Sequence, residues 1–217
     1  LLGLSLIQSQ NMDKDLLQNQ TINFCCDICI VKNLNLTTYI FDQLIEYHKI
    51  SKLKSGRDNN CLLLACKNNP NIGVIKYLAE NCKLNVNSKD DLGNNCLLTA
   101  CYYNANINII KYLIKDCKID VNSKNDKGQN CLLISCQKNS TLNTIKYFVE
   151  ECKINVNLLD NSGNNCLILA CQYNSNINII KYLIEDCKIS INHKNNYGYT
   201  CLLTSCNYNK ILILSNI

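Results

Sequence analysis

A cysteine stands at Cys61, Cys96, Cys131, Cys166 and Cys201, each 35 residues after the one before it. Two further columns keep the same step: Cys66, Cys101, Cys136, Cys171 and Cys206, then Cys82, Cys117, Cys152 and Cys187. A fixed period of this size restricts the chain to a stacked array of like units, each touching only its neighbours. The core of such an array lies between units, so stability belongs to the stack and not to any one unit.

One unit, Asn95–Asn122, sets the local structure. Asn95 precedes the apolar run Cys96-Leu97-Leu98-Thr99-Ala100-Cys101, and asparagine is a strong N-cap because its side-chain oxygen accepts an orphan N–H of the first turn. Asn60, Asn130, Asn165 and Thr200 fill the same slot. Asn69, Asn104, Asn139, Asn174 and Asn209 follow each run and predict a helix stop, since asparagine tolerates the left-handed conformation. Helix one is then about two turns long. Asn71, Asn106, Thr141 and Asn176 start a second helix, as in Ile109-Ile110-Lys111-Tyr112-Leu113-Ile114, with lysine on its polar side. After Cys117, Lys118-Ile119-Asp120-Val121-Asn122 alternates like a strand and leads to a polar turn. That turn carries Gly93, Gly128, Gly163 or Gly198, where a positive φ costs least. The unit reads helix, tight turn, helix, finger.

These residues resemble the ankyrin repeat. Asp90-Asp91-Leu92-Gly93-Asn94-Asn95-Cys96-Leu97-Leu98-Thr99-Ala100 is similar to that family's Asp-x-x-Gly-x-Thr-Pro-Leu-His-x-Ala. Ile109–Ile114 and Asp120-Val121-Asn122 match its later segments. Here asparagine stands for the capping threonine except at Thr200, cysteine for the proline and leucine for the histidine, so the family's Thr–His bond is absent. The period exceeds the family's usual 33 by two. One extra residue falls before helix two and one after Cys117, where the family has glycine. The Asn-, Ile- and Lys-rich composition is most similar to the ankyrin arrays of large DNA viruses and of protists with AT-rich genomes.

The resemblance implies an all-α repeat solenoid. Full repeats are expected at 55–89, 90–124, 125–159 and 160–194, with a half repeat and tail at 195–217. Residues 24–54 read as a degenerate repeat, because Leu44-Ile45 and Lys49-Ile50 align with Leu113-Ile114 and Lys118-Ile119. Residues 1–23 read as an eroded repeat or extension. The chain opens on Leu1, and its apolar start lacks the basic flank and cleavage site of a signal peptide. No run reaches the length of about 18 apolar residues that a membrane helix needs. An intracellular, cytoplasmic and monomeric protein is expected.

Seventeen cysteines invite a metal or disulfide reading. Cys61 and Cys66 lie too far apart along one helix for a disulfide, and neighbours within a column stand about 10 Å apart. Cys101 occupies the family's core alanine position, so burial as small apolar side chains accounts for the columns. A contact of the Cys61–Cys82 type within one repeat is open to geometry, and an intracellular setting keeps it reduced. Cys26-Asp27-Ile28-Cys29 lacks two further ligands at zinc spacing, and His48 and His193 have no fixed partner pattern. No metal and no cofactor are expected.

Net charge is +5. Lys76, Lys111, Lys146 and Lys181 form a ladder, with Glu80, Glu150 and Glu185 four residues on as ion-pair partners and Lys115 breaking the pattern. A nucleic-acid surface wants basic residues without interleaved acids, so nucleic acid is not the expected partner. The chain lacks a phosphate loop, paired carboxylates at an apolar site, and a nucleophile beside a base, which argues against an enzyme.

The resemblance implies a protein partner on the concave face of finger tips and first helices. Positions that vary there while the frame repeats are the candidates: Tyr102, Tyr103, Gln137, Lys138, Gln172, Tyr173 and Tyr208 on helix one. On the fingers they are Lys89, Asp91, Lys124, Asp126 and Asp160. Tyrosine offers large contact area with a polar handle. A second reading is an electrostatic scaffold for nucleic acid or phosphorylated surfaces through the lysine ladder. A third makes the array a substrate, since Asn87, Asn122 and Asn157 resemble ankyrin asparagines that hydroxylases modify.

Overall fold

A computed structural model describes residues 61–138, 141–174 and 176–208. The degenerate repeat at 24–54, the Cys26–Cys29 motif, His48, Asn60, Asn139 and Asn209 lie outside the described residues. Within them the chain is all-helical, with no strand. First helices are α1 (Cys61–Asn68), α3 (Cys96–Thr99, running on as a π turn at Ala100–Asn104), α5 (Cys131–Gln137), α7 (Cys166–Tyr173) and α9 (Cys201–Asn207). Second helices are α2 (Ile72–Glu80), α4 (Ile107–Lys115), α6 (Leu142–Lys146, with a π turn at Tyr147–Glu151) and α8 (Ile177–Glu185).

Every described cap acts as the sequence predicts. Asn95, Asn130, Asn165 and Thr200 accept from the N–H of Leu98, Leu133, Ile168 and Leu203. Asn71, Asn106, Thr141 and Asn176 do the same for the second helices, at Gly73, Asn108, Thr144 and Asn178. Each cap satisfies one donor that a short helix otherwise leaves bare.

The first helices stop at the Asn69/Asn104/Asn174 column as the sequence predicts, but not through a left-handed asparagine. Asn174 is extended, at φ −88 and ψ 138. The left-handed residue in this region is Ala105, at φ 52. The asparagines hold neighbouring repeats together instead. Asn104 Nδ2 donates to Cys66 O at 3.3 Å and Asn69 O at 2.8 Å; Asn174 Nδ2 donates to Cys136 O at 3.2 Å and Lys138 O at 2.8 Å. Asn69 and Asn174 are fully buried, and their Oδ1 atoms accept from Asn71 N and Asn176 N. A buried amide used at both ends fixes each loop to the helix end before it.

The finger also departs from the strand expected of it. Lys83, Lys118, Lys153 and Lys188 take left-handed φ values of 50, 57, 56 and 55. Around each, a backbone N–H reaches back six residues: Leu84 to Leu78 O, Ile119 to Leu113 O, Ile154 to Phe148 O and Ile189 to Leu183 O. That is a variant of the Schellman close one residue wider than usual, in which the residue after the left-handed lysine is a buried Leu or Ile. The extra residue after Cys117 thus takes the conformation the family assigns to glycine, and a hydrogen-bonded turn follows at Asp120–Ser123.

The core runs unbroken through the stack, from Cys61, Leu62 and Ile75 through Phe148 to Ile180 and Leu183. No cysteine of the described residues is in a disulfide. Second-column thiols meet first-column thiols of the next repeat, Cys136 against Cys166 and Cys171 against Cys201. Burial pushes the Cys101 thiol up to about 12.

Candidate functional site

At each finger tip one Asx side chain locks the turn. Asp90 Oδ1 accepts from Leu92 N and Asn94 N, Asn125 Oδ1 from Lys127 N and Gln129 N, and Asp160 Oδ1 from Ser162 N and Asn164 N. Fingers then join sideways: Asp126 N donates to Leu92 O, Asn161 N to Lys127 O and Asn196 N to Ser162 O. At Gly93, Gly128 and Gly163 the positive φ coincides with close approach of Asp126, Asn161 and Asn196, leaving no room for a Cβ. His193, for which the sequence shows no fixed partner pattern, is half-buried, and its Nε2 lies 2.9 Å from Gly163 O. That distance requires the Nε2–H tautomer, because a carbonyl oxygen only accepts.

Beside the fingers, the variable ends of the first helices link into a row. Lys67 Nζ stands 4.4 Å from the Tyr103 ring centre, Tyr103 and Tyr102 lie 4.5 Å apart, and Lys138 Nζ stands 3.8 Å from Tyr102. The row continues through Gln137, which bonds Tyr173, and Tyr173 packs 6.0 Å from Tyr208. Gln172 Nε2 donates to Tyr208 Oη at 2.6 Å. The π turn of α3 falls at Tyr102 and Tyr103, and such widened turns are frequent at functional positions. Burial, then Tyr102 and Asp90, push the Tyr103 phenol up; burial, then Tyr208, do so for Tyr173.

A groove of about 400 Å³ lies between the Gln137–Tyr173 part of this row and the fingers, lined by Asp126, Lys127, Gln137, Asp160, Gln172 and Tyr173 among others. Five sequence candidates therefore meet in one place: Asp126, Asp160, Gln137, Gln172 and Tyr173. Tyr208 borders the next groove, with Gln172 and Tyr199. Tyr102 is half-buried against the core, whereas Tyr103 is exposed. Lys89, Asp91 and Lys124 are exposed on the fingers, outside both grooves. Asp160 spends its carboxylate on its own turn and on Gln129 Nε2 at 3.4 Å. Asn87, Asn122 and Asn157 are exposed, each inside a turn whose first residue, Asn85, Asp120 or Asn155, accepts its backbone N–H.

On the second helices, the expected Lys–Glu pairing four residues apart gives way to contacts between repeats. Lys76, Lys111 and Lys146 stand 5.3, 4.8 and 5.2 Å from the rings of Tyr112, Tyr147 and Tyr182. Tyr112 Oη donates to Glu80 and Tyr182 Oη to Glu150. Lys115 stands where the carboxylate acceptor of Tyr147 would be, so the buried Tyr147 hydroxyl is left with only the Cys152 thiol beside it. Glu151 instead pairs with Lys111 at 3.7 Å and Lys115 at 3.6 Å. The sequence reading missed the Lys–Tyr partnership, although both columns keep the period.

Among the described residues, no group of three or more His, Cys, Asp or Glu could hold a metal, and no helix is long and apolar enough to cross a membrane.

A family model of ankyrin repeats (3 copies) matches residues 28–125, 106–195 and 132–215. A search of curated proteins found no match. Among solved structures, the chain is similar to one from the complex of the Bd0816 predatory endopeptidase of Bdellovibrio bacteriovorus with immunity protein Bd3460. The TM-score is 0.68 at 19% identity, over 88% of this chain and 96% of that one, a likeness of fold. The compositional likeness to viral and protist arrays gains no support from these matches. Period, caps, finger turns and family match agree, and the chain belongs to the ankyrin-repeat family.

Proposed function

We propose that this array is a non-catalytic protein-binding module whose partner seats along the finger turns and first helices. The observation that carries the reading is the linked row from Lys67 through Tyr103, Tyr102 and Lys138, continued by Gln137, Tyr173 and Tyr208. These are the residues that vary between repeats, and they hold one another in place beside a groove. Aromatic side chains already restrained by neighbours lose little freedom on binding, so their contact area is converted to affinity efficiently. The solved neighbour comes from a protein–protein complex, which is in keeping with this use of the fold. A reducing, cytoplasmic setting suits an array whose described cysteines form no disulfide.

The electrostatic-scaffold reading is the weaker one. Three lysines of its ladder sit over tyrosine rings of the next repeat, which occupies them in stacking. The test is affinity capture from a cell lysate with the native chain and with Tyr103→Ser/Tyr173→Ser. A discrete protein that disappears from the variant supports the reading; equal capture by both argues against it.

A further inference from the structure

The inner columns of the array do not vary at random. Leu92, Lys127 and Ser162 share one column, Tyr103, Lys138 and Tyr173 another, and Lys89, Lys124 and Leu159 a third. In the repeat beginning at Asn125, together with the finger leading into it, every one of these slots is lysine. The repeat before presents Leu92 and Tyr103, exposed by 46% and 44%; the repeat after presents Leu159 and Tyr173, exposed by 41% and 45%. Two patches of exposed apolar side chains, the first also carrying Lys67 over Tyr103 and the exposed Lys89, thus flank a repeat with lysine in all three columns. They stand two repeats apart, about 20 Å at ordinary helix spacing.

The charge of these lysines is not spent within the array. The ion pairs of the described residues are Lys111–Glu151 and Lys115–Glu151, both on second helices. Lys124 and Lys127 are exposed, and Lys127 lines the groove. Lys138 leans over the Tyr102 ring, which leaves its charge in place. Asp126 on the same finger is turned toward Gly93 and Asp160 accepts from its own turn; both keep their charge and line the groove, so the three lysines outnumber the acids beside them by one.

Resting on the protein-binding reading above, we propose that the partner offers an acidic segment flanked by apolar side chains. The acid lies against Lys124, Lys127 and Lys138, with apolar anchors on Leu92/Tyr103 and Leu159/Tyr173. The spaced apolar patches favour a protein segment over a phosphate backbone, which offers no apolar anchors to them. Complementary charge sets register and suppresses wrong partners.

The test is selection from a random-peptide display library on the full chain, in parallel with Lys124→Glu/Lys127→Glu. Both lysines are exposed, so the variant should keep its thermal midpoint, which is checked first. The native chain should select Asp or Glu between apolar residues, and the reversed chain Lys or Arg at that place. A peptide selected on the native chain should bind the reversed one at least about tenfold more weakly at low salt. If both chains select the same peptides, and these are lost on Tyr103→Ser/Tyr173→Ser, the groove stands and the acidic partner is refuted. If neither variant affects the peptides, binding lies elsewhere and the groove reading falls with the proposal. Single-stranded oligothymidylate that binds more tightly than any peptide, and is lost on charge reversal, also overturns it.

Discussion

The ammonium of Lys138 lies 3.8 Å from the centre of the Tyr102 ring, joining the first helices of two neighbouring repeats on the face that carries the groove. Tyr102 also touches Tyr103, whose other neighbour is Lys67. Lys138→Met keeps the apolar stem and removes the charge. It should cost about 0.5–1 kcal/mol in urea unfolding, the worth of a partly exposed cation–π contact.

Asn174 should be far more sensitive than any exposed asparagine. Its amide is fully buried and donates to Cys136 O and Lys138 O, while its oxygen takes Asn176 N. Asn174→Ala orphans these groups and should cost about 2–3 kcal/mol. Asn178→Ala, at an exposed position of α8, should stay within about 0.5 kcal/mol by the same denaturation measurement.

The tyrosine column supplies its own control. Tyr112→Phe and Tyr182→Phe each remove a bond to Glu80 or Glu150 and should cost about 1 kcal/mol. Tyr147→Phe removes a hydroxyl that has no carboxylate acceptor, only the weak Cys152 thiol, and should cost clearly less than either. Thermal midpoints of the three variants in parallel check the ordering.

Glycine to alanine should separate the finger turns. Gly163→Ala meets both a left-handed φ of 75 and the side chain of Asn196; Gly198→Ala meets only its φ of 80, with nothing within 4 Å. The second should cost about 1–2 kcal/mol and the first clearly more, as read by chemical unfolding.

Alkaline pH should unfold the array. The Cys101 thiol is raised by burial from 9.0 to about 12, and Cys131 is raised well above 9.0 for the same reason. These thiols stay protonated in the folded chain where the unfolded chain ionises them. Their stabilising contribution is whole below pH 9 and is lost as pH rises toward the folded values. The slope is about 1.4 kcal/mol per pH unit for each such thiol. Urea midpoints at about pH 8 and about pH 10 should differ accordingly, in reducing buffer.

The period, the caps and the glycine turns were legible because each is a local backbone requirement answered by one residue type. Asn95 and Gly93 can be read without knowing what surrounds them. Asn104 and Asn174 could not, because their amides bond to carbonyls of the preceding repeat, and only stacking brings these within reach. Lys118 hid its left-handed φ, since lysine has no preference for it and the Schellman bonds around it impose the conformation. Lys111 and Tyr147 were each visible as column members, yet their partnership exists only across an interface. Convergence of Asp126, Gln137, Gln172 and Tyr173 on one groove was readable from the repeat register, which places finger tip and helix end side by side. The commitment of Asp160 to its own turn was not.

The central claim is that the face shared by fingers and first helices is the binding surface. Affinity capture comparing the native chain, Tyr103→Ser/Tyr173→Ser, and an outer-face variant Lys111→Ser/Lys146→Ser tests it most directly. The account predicts one discrete protein, retained by the outer-face variant and lost from the tyrosine variant. Retention by the tyrosine variant with loss from the outer-face variant would contradict it.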